Sequence, residues 1–156
     1  MTHINYAFGH VDETFDGVGI ANEGRLRQMV ELKKQKPDLN VLLSIGGWGS
    51  GRFSEMAANE KYRKAFAKDC RRVVKEYGLD GIDIDWEYPT SNAAGISSSP
   101  DDTKNFTLLM RDIRKAIGPK KLLTLATVAS GEYIDFQAIL PVSYTHLRAH
   151  ETLRHL

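Results

Sequence analysis

The residues best suited to chemistry lie in one short acidic run, Asp80-Gly81-Ile82-Asp83-Ile84-Asp85-Trp86-Glu87-Tyr88-Pro89. Side chains alternate between the two faces of a strand, so Asp83, Asp85 and Glu87 are predicted to share one face, with successive Cβ atoms about 6.5–7 Å apart. Carboxylates this close repel one another, which favours the protonated form of at least one of them. A protonated carboxyl beside ionised ones is suited to general acid–base catalysis.

The residues alone leave two other interpretations of these acids open. The first places them on a solvated strand edge or in pairs with surface Lys and Arg. The second makes them ligands of a hard cation, although a calcium loop would need Gly at the position of Tyr88. Acid–base work is favoured, because buried carboxylates are costly and are seldom kept without a function.

A second candidate site follows another apolar strand, in Val41-Leu42-Leu43-Ser44-Ile45-Gly46-Gly47-Trp48-Gly49-Ser50-Gly51. It matches neither of the glycine-rich phosphate-binding patterns, G-x-x-x-x-G-K-[ST] and G-x-G-x-x-G. Glycines let the backbone approach a bulky ligand, and Trp48 offers a flat apolar face suited to a sugar ring. The alternative is that Trp48 packs in the core. Tyr6 and Phe8 are two residues apart and are expected on one face of the first strand, with core packing as the favoured role.

Four apolar runs are predicted to be the buried strands that position these residues: 4–8, 41–45, 81–86 and 122–128. Helical patterns lie between them, at about 22–36, from the N-cap Asn59 to Gly78, and from Ser99-Pro100 to Gly118-Pro119. Alternation of buried strands with helices predicts an α/β fold with a parallel sheet. The pattern leaves two architectures open, an open doubly wound sheet and consecutive units of a (β/α)8 barrel.

Composition narrows the possible functions of the 156 residues. The formal net charge is +1, which argues against nucleic acid or an anionic membrane as partner. Cys70 is the single cysteine, so no intrachain disulfide can form. No apolar run reaches the roughly 18–20 residues of a membrane span, and the first residues lack the pattern of a signal peptide.

The acidic run Asp80-x-x-Asp83-x-Asp85-x-Glu87-Tyr88-Pro89 closely resembles the signature of glycoside hydrolase family 18, the chitinases. Three other segments resemble the second, third and fifth strands of that family: Ile4-Asn5-Tyr6-Ala7-Phe8, Ser44-Ile45-Gly46-Gly47-Trp48 and 122–129. The similarity covers roughly residues 2–141. It implies a partial (β/α)8 TIM barrel of about four β/α units, without a metal or cofactor.

The resemblance also implies a role for each acid in the hydrolysis of β-1,4-linked N-acetylglucosamine. The reaction would be retaining and substrate-assisted, with the substrate's own N-acetyl carbonyl as nucleophile. Glu87 would protonate the glycosidic oxygen and then act as base for water. Asp85 would hold the acetamido N–H, and Asp83 would share a proton with Asp85.

The resemblance implies further residues around these three acids. Supporting positions beside the acids would be Tyr6, Ser44 and Asp80. The sugar chain of chitin or its oligosaccharides would lie against Phe8, Gly46, Gly47, Trp48 and Tyr88. The family is mostly secreted, which implies an extracellular location.

We expect residues 1–141 to be part of the catalytic domain and residues 142–156 to be a non-native tail, because the similarity stops at Pro141. The family's first strand and its sixth to eighth strands find no counterpart in the sequence. A partial barrel leaves sheet edges unpaired. We therefore expect the chain alone to self-associate through these edges and to hydrolyse chitooligosaccharides negligibly.

Two other functions remain open from the sequence. One is a chitin-binding, lectin-like protein on the same fold, although such proteins typically lose the acid that Glu87 provides here. The other is a metal-dependent phosphate enzyme on a doubly wound sheet, which a chelator would inactivate.

Overall fold

The computed structural model describes residues 1–143 and 147–149. The strands in this part of the chain are β1 (His3–Val11), β2 (Val18–Ile20), β3 (Asn40–Gly46), β4 (Gly81–Asp85), β5 (Leu122–Thr127) and β6 (Leu147–Ala149). The helices are α1 (Glu23–Glu31), continued by a 3-10 turn (Leu32–Lys34), α2 (Phe53–Ala58), α3 (Glu60–Tyr77), α4 (Asp102–Ile117) and α5 (Phe136–Ile139). None of the described helices is long and apolar enough to cross a membrane.

All of these strands form one sheet in the order β2-β1-β3-β4-β5-β6. β2 pairs antiparallel with β1, and every other neighbouring pair is parallel. The parallel strands follow one another in chain order, whereas a doubly wound sheet reverses its strand order at a switch point. The sheet therefore has the order of consecutive (β/α) barrel units. β6 lies where the sequence pattern predicted no strand.

The register of the parallel strands gives the sheet one polar and one apolar face. Ser44 lies beside Asp83, and Asp83 lies beside Thr124, so the three side chains project to the same side. The other side carries fully buried residues that pack under the helices, Leu43, Ile45, Ile82, Ile84 and Leu123. Helices α3 and α4 cover this side with a buried stripe that includes Phe66, Cys70, Val73, Phe106, Leu109 and Ile113.

Helix ends agree with the sequence at α3 and differ at α4. The side chain of Asn59 accepts hydrogen bonds from the amides of Lys61 and Tyr62, and Gly78 closes α3 in the left-handed conformation. At α4 the predicted start at Ser99 is too early, because the helix begins at Asp102. Ser99 lies in the turn before it, where its Oγ accepts from the Asp101 amide at 3.3 Å and its own amide donates to the Asp102 side chain. Residues 22–36 form α1 and a 3-10 turn rather than one helix.

Asp80 ties together the beginnings of three strands. Its carboxylate accepts from Lys33 Nζ at 2.7 Å and from the Val41 amide at 2.8 Å. Its backbone amide donates to Val41 O at 2.8 Å, and its carbonyl accepts from the Leu122 amide at 2.9 Å. These bonds lie at the opposite end of β4 from Glu87, so the expectation that Asp80 supports the catalytic acids is corrected. Asp80 instead fixes the register of β3, β4 and β5.

Replacing Asp80 by alanine is expected to lower the free energy of unfolding by about 1–3 kcal/mol, because Lys33 and the Val41 amide lose their acceptor. Denaturant unfolding of the Asp80→Ala variant measures this loss. Glu31→Ala is the control, since Glu31 also pairs with a lysine but its side chain is 62% exposed. Equal losses in the two variants would contradict the role of Asp80 as a clamp.

Candidate active site

Two of the predicted acids lie almost completely buried on the polar face of the sheet. Asp83 and Asp85 are 2% and 3% exposed. Asp83 Oδ2 accepts from Ser44 Oγ at 2.8 Å, and Asp83 Oδ1 accepts from Thr124 Oγ1 at 2.6 Å. A hydroxyl from each neighbouring strand therefore holds one oxygen of this carboxylate.

Thr124 is a site residue that the sequence analysis missed. It is the polar side chain in the middle of the otherwise apolar run 122–126, at the register position of Asp83. A hydroxyl inside a buried apolar strand is a signal that the sequence does contain. Assigning that hydroxyl to Asp83 requires the register between β4 and β5, which periodicity within one strand does not supply.

Glu87 lies beyond the end of β4 and is half-buried, unlike the two aspartates. The predicted strand face thus holds Asp83 and Asp85, while Glu87 stands in the segment that follows. Partial burial, together with the negative charge of the adjacent Glu87, raises the pKa of Tyr88 to about 12. The exposure of the acids therefore increases from Asp83 outward to Glu87.

Aromatic rings surround the outer end of this series. Tyr88 stacks on Tyr133, with ring centroids 4.8 Å apart and an interplanar angle of 10°. Trp48 meets Tyr88 edge-on, with centroids 6.4 Å apart. Trp48 is 62% exposed, so the core-packing interpretation of this residue is wrong. Tyr133 was not singled out from the sequence.

A cleft of about 460 Å³ lies beside these rings and is lined by the C-terminal part of β1, the end of β3 and the loop after β3, including Phe8, His10, Gly46, Gly47, Trp48 and Arg52. Phe8 is 40% exposed on its wall. Nδ1 of His10 lies 2.9 Å from Ser50 Oγ, which joins β1 to the loop after β3. The structure thus brings four of the five predicted sugar-contacting residues to one cleft, with Tyr88 next to Trp48.

The two glycines of the cleft permit close packing within the protein. Gly46 has φ +129°, and a Cβ there would lie 2.0 Å from the carbonyl oxygen of Asp85. This approach lets the Gly47 amide donate to Asp85 O at 2.9 Å. A Cβ on Gly47 would lie 3.0 Å from the ring of Phe8.

The expected positions of Tyr6 and Phe8 on one face are wrong because β1 contains a bulge. Ala7 pairs with Ser44 and Gly9 pairs with Ile45, so Phe8 has no register partner and the alternation is interrupted. Tyr6 lies beside Leu43 on the helix-covered side and donates to Asn22 O at 3.1 Å. Tyr6 therefore does not donate to the acid pair.

Among residues 1–143 and 147–149, no three His, Cys, Asp or Glu residues are grouped so that they could hold a metal ion. Each oxygen of Asp83 already accepts a hydrogen bond from a hydroxyl. The contacts of Asp83 are therefore those of a carboxylate held by hydrogen bonds.

Two threonines of β5 provide a matched test of this support. Thr124→Val is expected to cost about 1–3 kcal/mol of stability, because it removes a donor to a buried carboxylate. Thr127→Val is expected to be neutral or stabilising, because Thr127 Oγ1 is buried and has no hydrogen-bond partner in the described part of the chain. Chemical denaturation of both variants measures the difference in their free energies of unfolding. A larger loss for Thr127→Val than for Thr124→Val would contradict the role of Thr124 as a donor to Asp83.

Gly46→Ala is expected to destabilise the protein strongly, by about 3 kcal/mol or more, since a backbone carbonyl stands where the Cβ would go. Gly95→Ala is the matched control, because Gly95 also has a positive φ, +71°, but nothing lies within 4 Å of its added Cβ. Thermal unfolding of the two variants gives the comparison. A loss at Gly46 no larger than at Gly95 would show that the strand ends can separate without cost.

Comparison with known proteins identifies the family and the fold. The family model for "Glycosyl hydrolases family 18" matches residues 1–149. Chitinase A1 of Niallia circulans is 40% identical over 119 residues, which are 70% of this chain and 17% of that protein. The chitinase domain of the spore coat protein CotE of Clostridium difficile superposes with a TM-score of 0.88 at 39% identity, covering 92% of this chain and 42% of the other.

A second solved structure is a family 18 N-acetylglucosaminidase from Paenibacillus barengoltzii, with a TM-score of 0.85 and 44% identity over 92% of this chain and 44% of that one. This chain therefore spans less than half the length of each of these three proteins. The likeness in fold confirms the predicted part of a (β/α)8 barrel. Because the family model covers almost the whole sequence, the chain belongs to glycoside hydrolase family 18.

Proposed function

We propose that the protein carrying this chain hydrolyses the β-1,4 linkages between N-acetylglucosamine units in chitin or its oligosaccharides. The observation that carries the proposal is the series Asp83, Asp85, Glu87, which runs from buried to half-exposed and ends beside an aromatic cleft. Chitinases among the relatives, and an N-acetylglucosaminidase among the solved structures, support this substrate class.

Glu87 is the proposed general acid. Its carboxyl is half-buried and is the most exposed of the three, and it directly precedes Tyr88, whose ring meets Trp48 of the cleft. A carboxyl that protonates the leaving oxygen becomes a carboxylate, which can then take a proton from the incoming water.

The proposed nucleophile belongs to the substrate. A retaining glycosidase with a protein nucleophile needs a second carboxylate that reaches the anomeric carbon. Asp85 is 3% exposed and is the last residue of β4, which favours a role as hydrogen-bond acceptor over a role as attacking group. Accepting from the acetamido N–H, it would turn the acetamido carbonyl toward the anomeric carbon and stabilise the positive charge that develops there.

Asp83, which lies deeper in the strand, assists Asp85 in this scheme. The hydroxyls of Ser44 and Thr124 hold its carboxylate in one orientation, and the strand separates it from Asp85 by a single residue. We propose that the two aspartates share one proton, which lets Asp85 change its hydrogen-bond partner during the reaction.

Flat aromatic surfaces are the proposed sugar contacts. Trp48 and Phe8 are large apolar side chains that remain exposed at the cleft, and Tyr88 lies edge-on against Trp48. Pyranose rings present an apolar face of C–H groups that packs on such rings. Because chitin is a polymer that does not cross a membrane, we propose that the enzyme acts outside the cell.

Glu87→Gln is expected to reduce turnover of a fluorogenic N-acetylglucosamine oligomer by at least about 10³-fold, because the amide cannot donate the catalytic proton. Glu55→Gln makes the same chemical change at an exposed site on α2 and is expected to leave turnover unchanged. The assays use the protein that carries this chain, and the 156-residue chain alone is expected to be inactive.

Two further measurements test the mechanism and the alternative of a binding protein. The first product seen by NMR should have the β configuration, and oligomers that lack the N-acetyl group should not be cleaved. Retention on chitin without any hydrolysis by the unsubstituted protein would overturn the enzyme proposal in favour of a lectin-like function. An α product would overturn the retaining mechanism alone.

A further inference from the structure

A fully buried carboxylate outside the proposed catalytic series lies beneath the loop that follows Glu87. Asp102, the first residue of α4, is 0% exposed. Its Oδ2 accepts from the Ser99 amide at 2.7 Å and from the Thr90 amide at 3.2 Å, and its Oδ1 accepts from Ser54 Oγ at 2.7 Å. Thr90 and Ser99 are the two ends of the loop 90–99, so a single carboxylate oxygen joins its entry to its exit.

The bond to Thr90 fixes the backbone directly after the proposed acid. Thr90 is the third residue after Glu87 and has φ +65°, a conformation that residues other than glycine seldom adopt. Accepting the Thr90 amide therefore stabilises an unfavourable backbone state. Between the two residues lies Tyr88, which contacts Glu87, Trp48 and Tyr133.

The same loop packs against the cleft segment that follows Trp48. Ile96 is 8% exposed and belongs to the hydrophobic core. Its Cγ2 atom lies 3.8 Å from the position that a Cβ on Gly51 would occupy. The carbonyl oxygen of Ala94 lies 3.8 Å from the position that a Cβ on Gly49 would occupy. A loop held closed by Asp102 is thus in place to support both the acid and the aromatic wall.

The burial of Asp102 calls for an explanation beyond helix capping. Burying a carboxylate is costly unless hydrogen bonds compensate. The three donors described for Asp102 are neutral groups, drawn from α2 and from both ends of the loop. An N-terminal acid on a helix can gain comparable stabilisation while exposed, as the neighbouring position Asp101 would allow.

We propose that Asp102 is a positioning residue, which closes the loop 90–99 and thereby holds Glu87 and Tyr88 in their productive places beside Trp48. The proposal rests on the proposed hydrolase function for its catalytic consequence. The closing of the loop is independent of that function. Asp102 itself touches no reacting atom.

Three variants separate the effect of the Asp102 carboxylate on the loop 90–99, here called the Asp102 clamp, from effects of its surroundings. Asp102→Leu keeps the branched shape of the side chain and removes the acceptor. Asp102→Asn retains one acceptor oxygen for the two amides, and its NH2 group can donate to Ser54 Oγ. Asp101→Asn changes the exposed neighbour and serves as the control.

Hydrogen exchange of the Thr90 and Ser99 amides gives the first measurement. Both should be protected in the unsubstituted protein, and Asp102→Leu should accelerate their exchange by about 10–100-fold, while Asp102→Asn and Asp101→Asn change it little. Unprotected Thr90 and Ser99 amides in the unsubstituted protein would overturn the proposal, even if Asp102→Leu fails to fold.

Kinetics on the folded protein, well below its melting temperature, give the second measurement. Asp102→Leu should lower kcat by about 10–100-fold with a smaller change in KM, and Asp102→Asn should restore most of it. A purely structural Asp102 would lower Tm and leave kcat unchanged, which would overturn the proposal.

A failure of the proposed function would be recognised separately. In that case the unsubstituted protein would not hydrolyse the oligomer, and the comparison moves to the Kd of the same N-acetylglucosamine oligomer. Weaker binding by Asp102→Leu than by Asp102→Asn would then support the clamp. Equal Kd values would overturn the positioning role of Asp102, even where Asp102→Leu accelerates amide exchange.

Discussion

The pair of hydroxyl-to-carboxylate hydrogen bonds on Asp83 is the interaction on which the arrangement of this protein depends. Ser44 and Thr124 reach Asp83 from different strands, so both bonds exist only in one register of β3, β4 and β5. A shift of one residue would turn Asp83 toward the helices and leave a carboxylate in the apolar core. Asp80, at the far end of β4, fixes the same register through Lys33 and Val41.

Close approach of the strands makes this register possible, and glycine permits it at both ends of β4. A Cβ on Gly81 would lie 2.1 Å from the carbonyl oxygen of Leu122, and one on Gly46 would lie 2.0 Å from that of Asp85. The first contact brings β5 close to the first residue of β4, and the second brings the end of β3 close to the last residue of β4. Gly46, at the end of β3, is therefore needed first for the packing of the sheet. Gly46 and Gly47 also line the cleft beside Phe8.

Periodicity within single segments predicted the buried strands, the shared face of Asp83 and Asp85 and the position of α3, because each depends on contacts that repeat along one element. It failed where contacts between elements decide. A bulge in β1 separates Tyr6 from Phe8, cross-strand bonds give Asp80 a structural role, and a register partner gives Thr124 its function. The start of α4 was also placed too early, at Ser99 rather than Asp102, since the local pattern does not show that Asp102 also accepts from the Thr90 amide.

The segment around Glu87 shows how a half-exposed side chain can be held at a fixed place. Before it, Trp86 is 2% exposed and lies stacked on Phe53 at 5.3 Å, with Phe106 meeting it edge-on at 5.8 Å. After it, Tyr88 stacks on Tyr133. The backbone on each side of Glu87 is therefore anchored by a packed aromatic ring. The Glu87 carboxyl itself remains half-buried. Catalysis by proton transfer needs this combination, because the acid must stay within hydrogen-bond reach of an atom of the substrate while the energy of holding it there is supplied by folding.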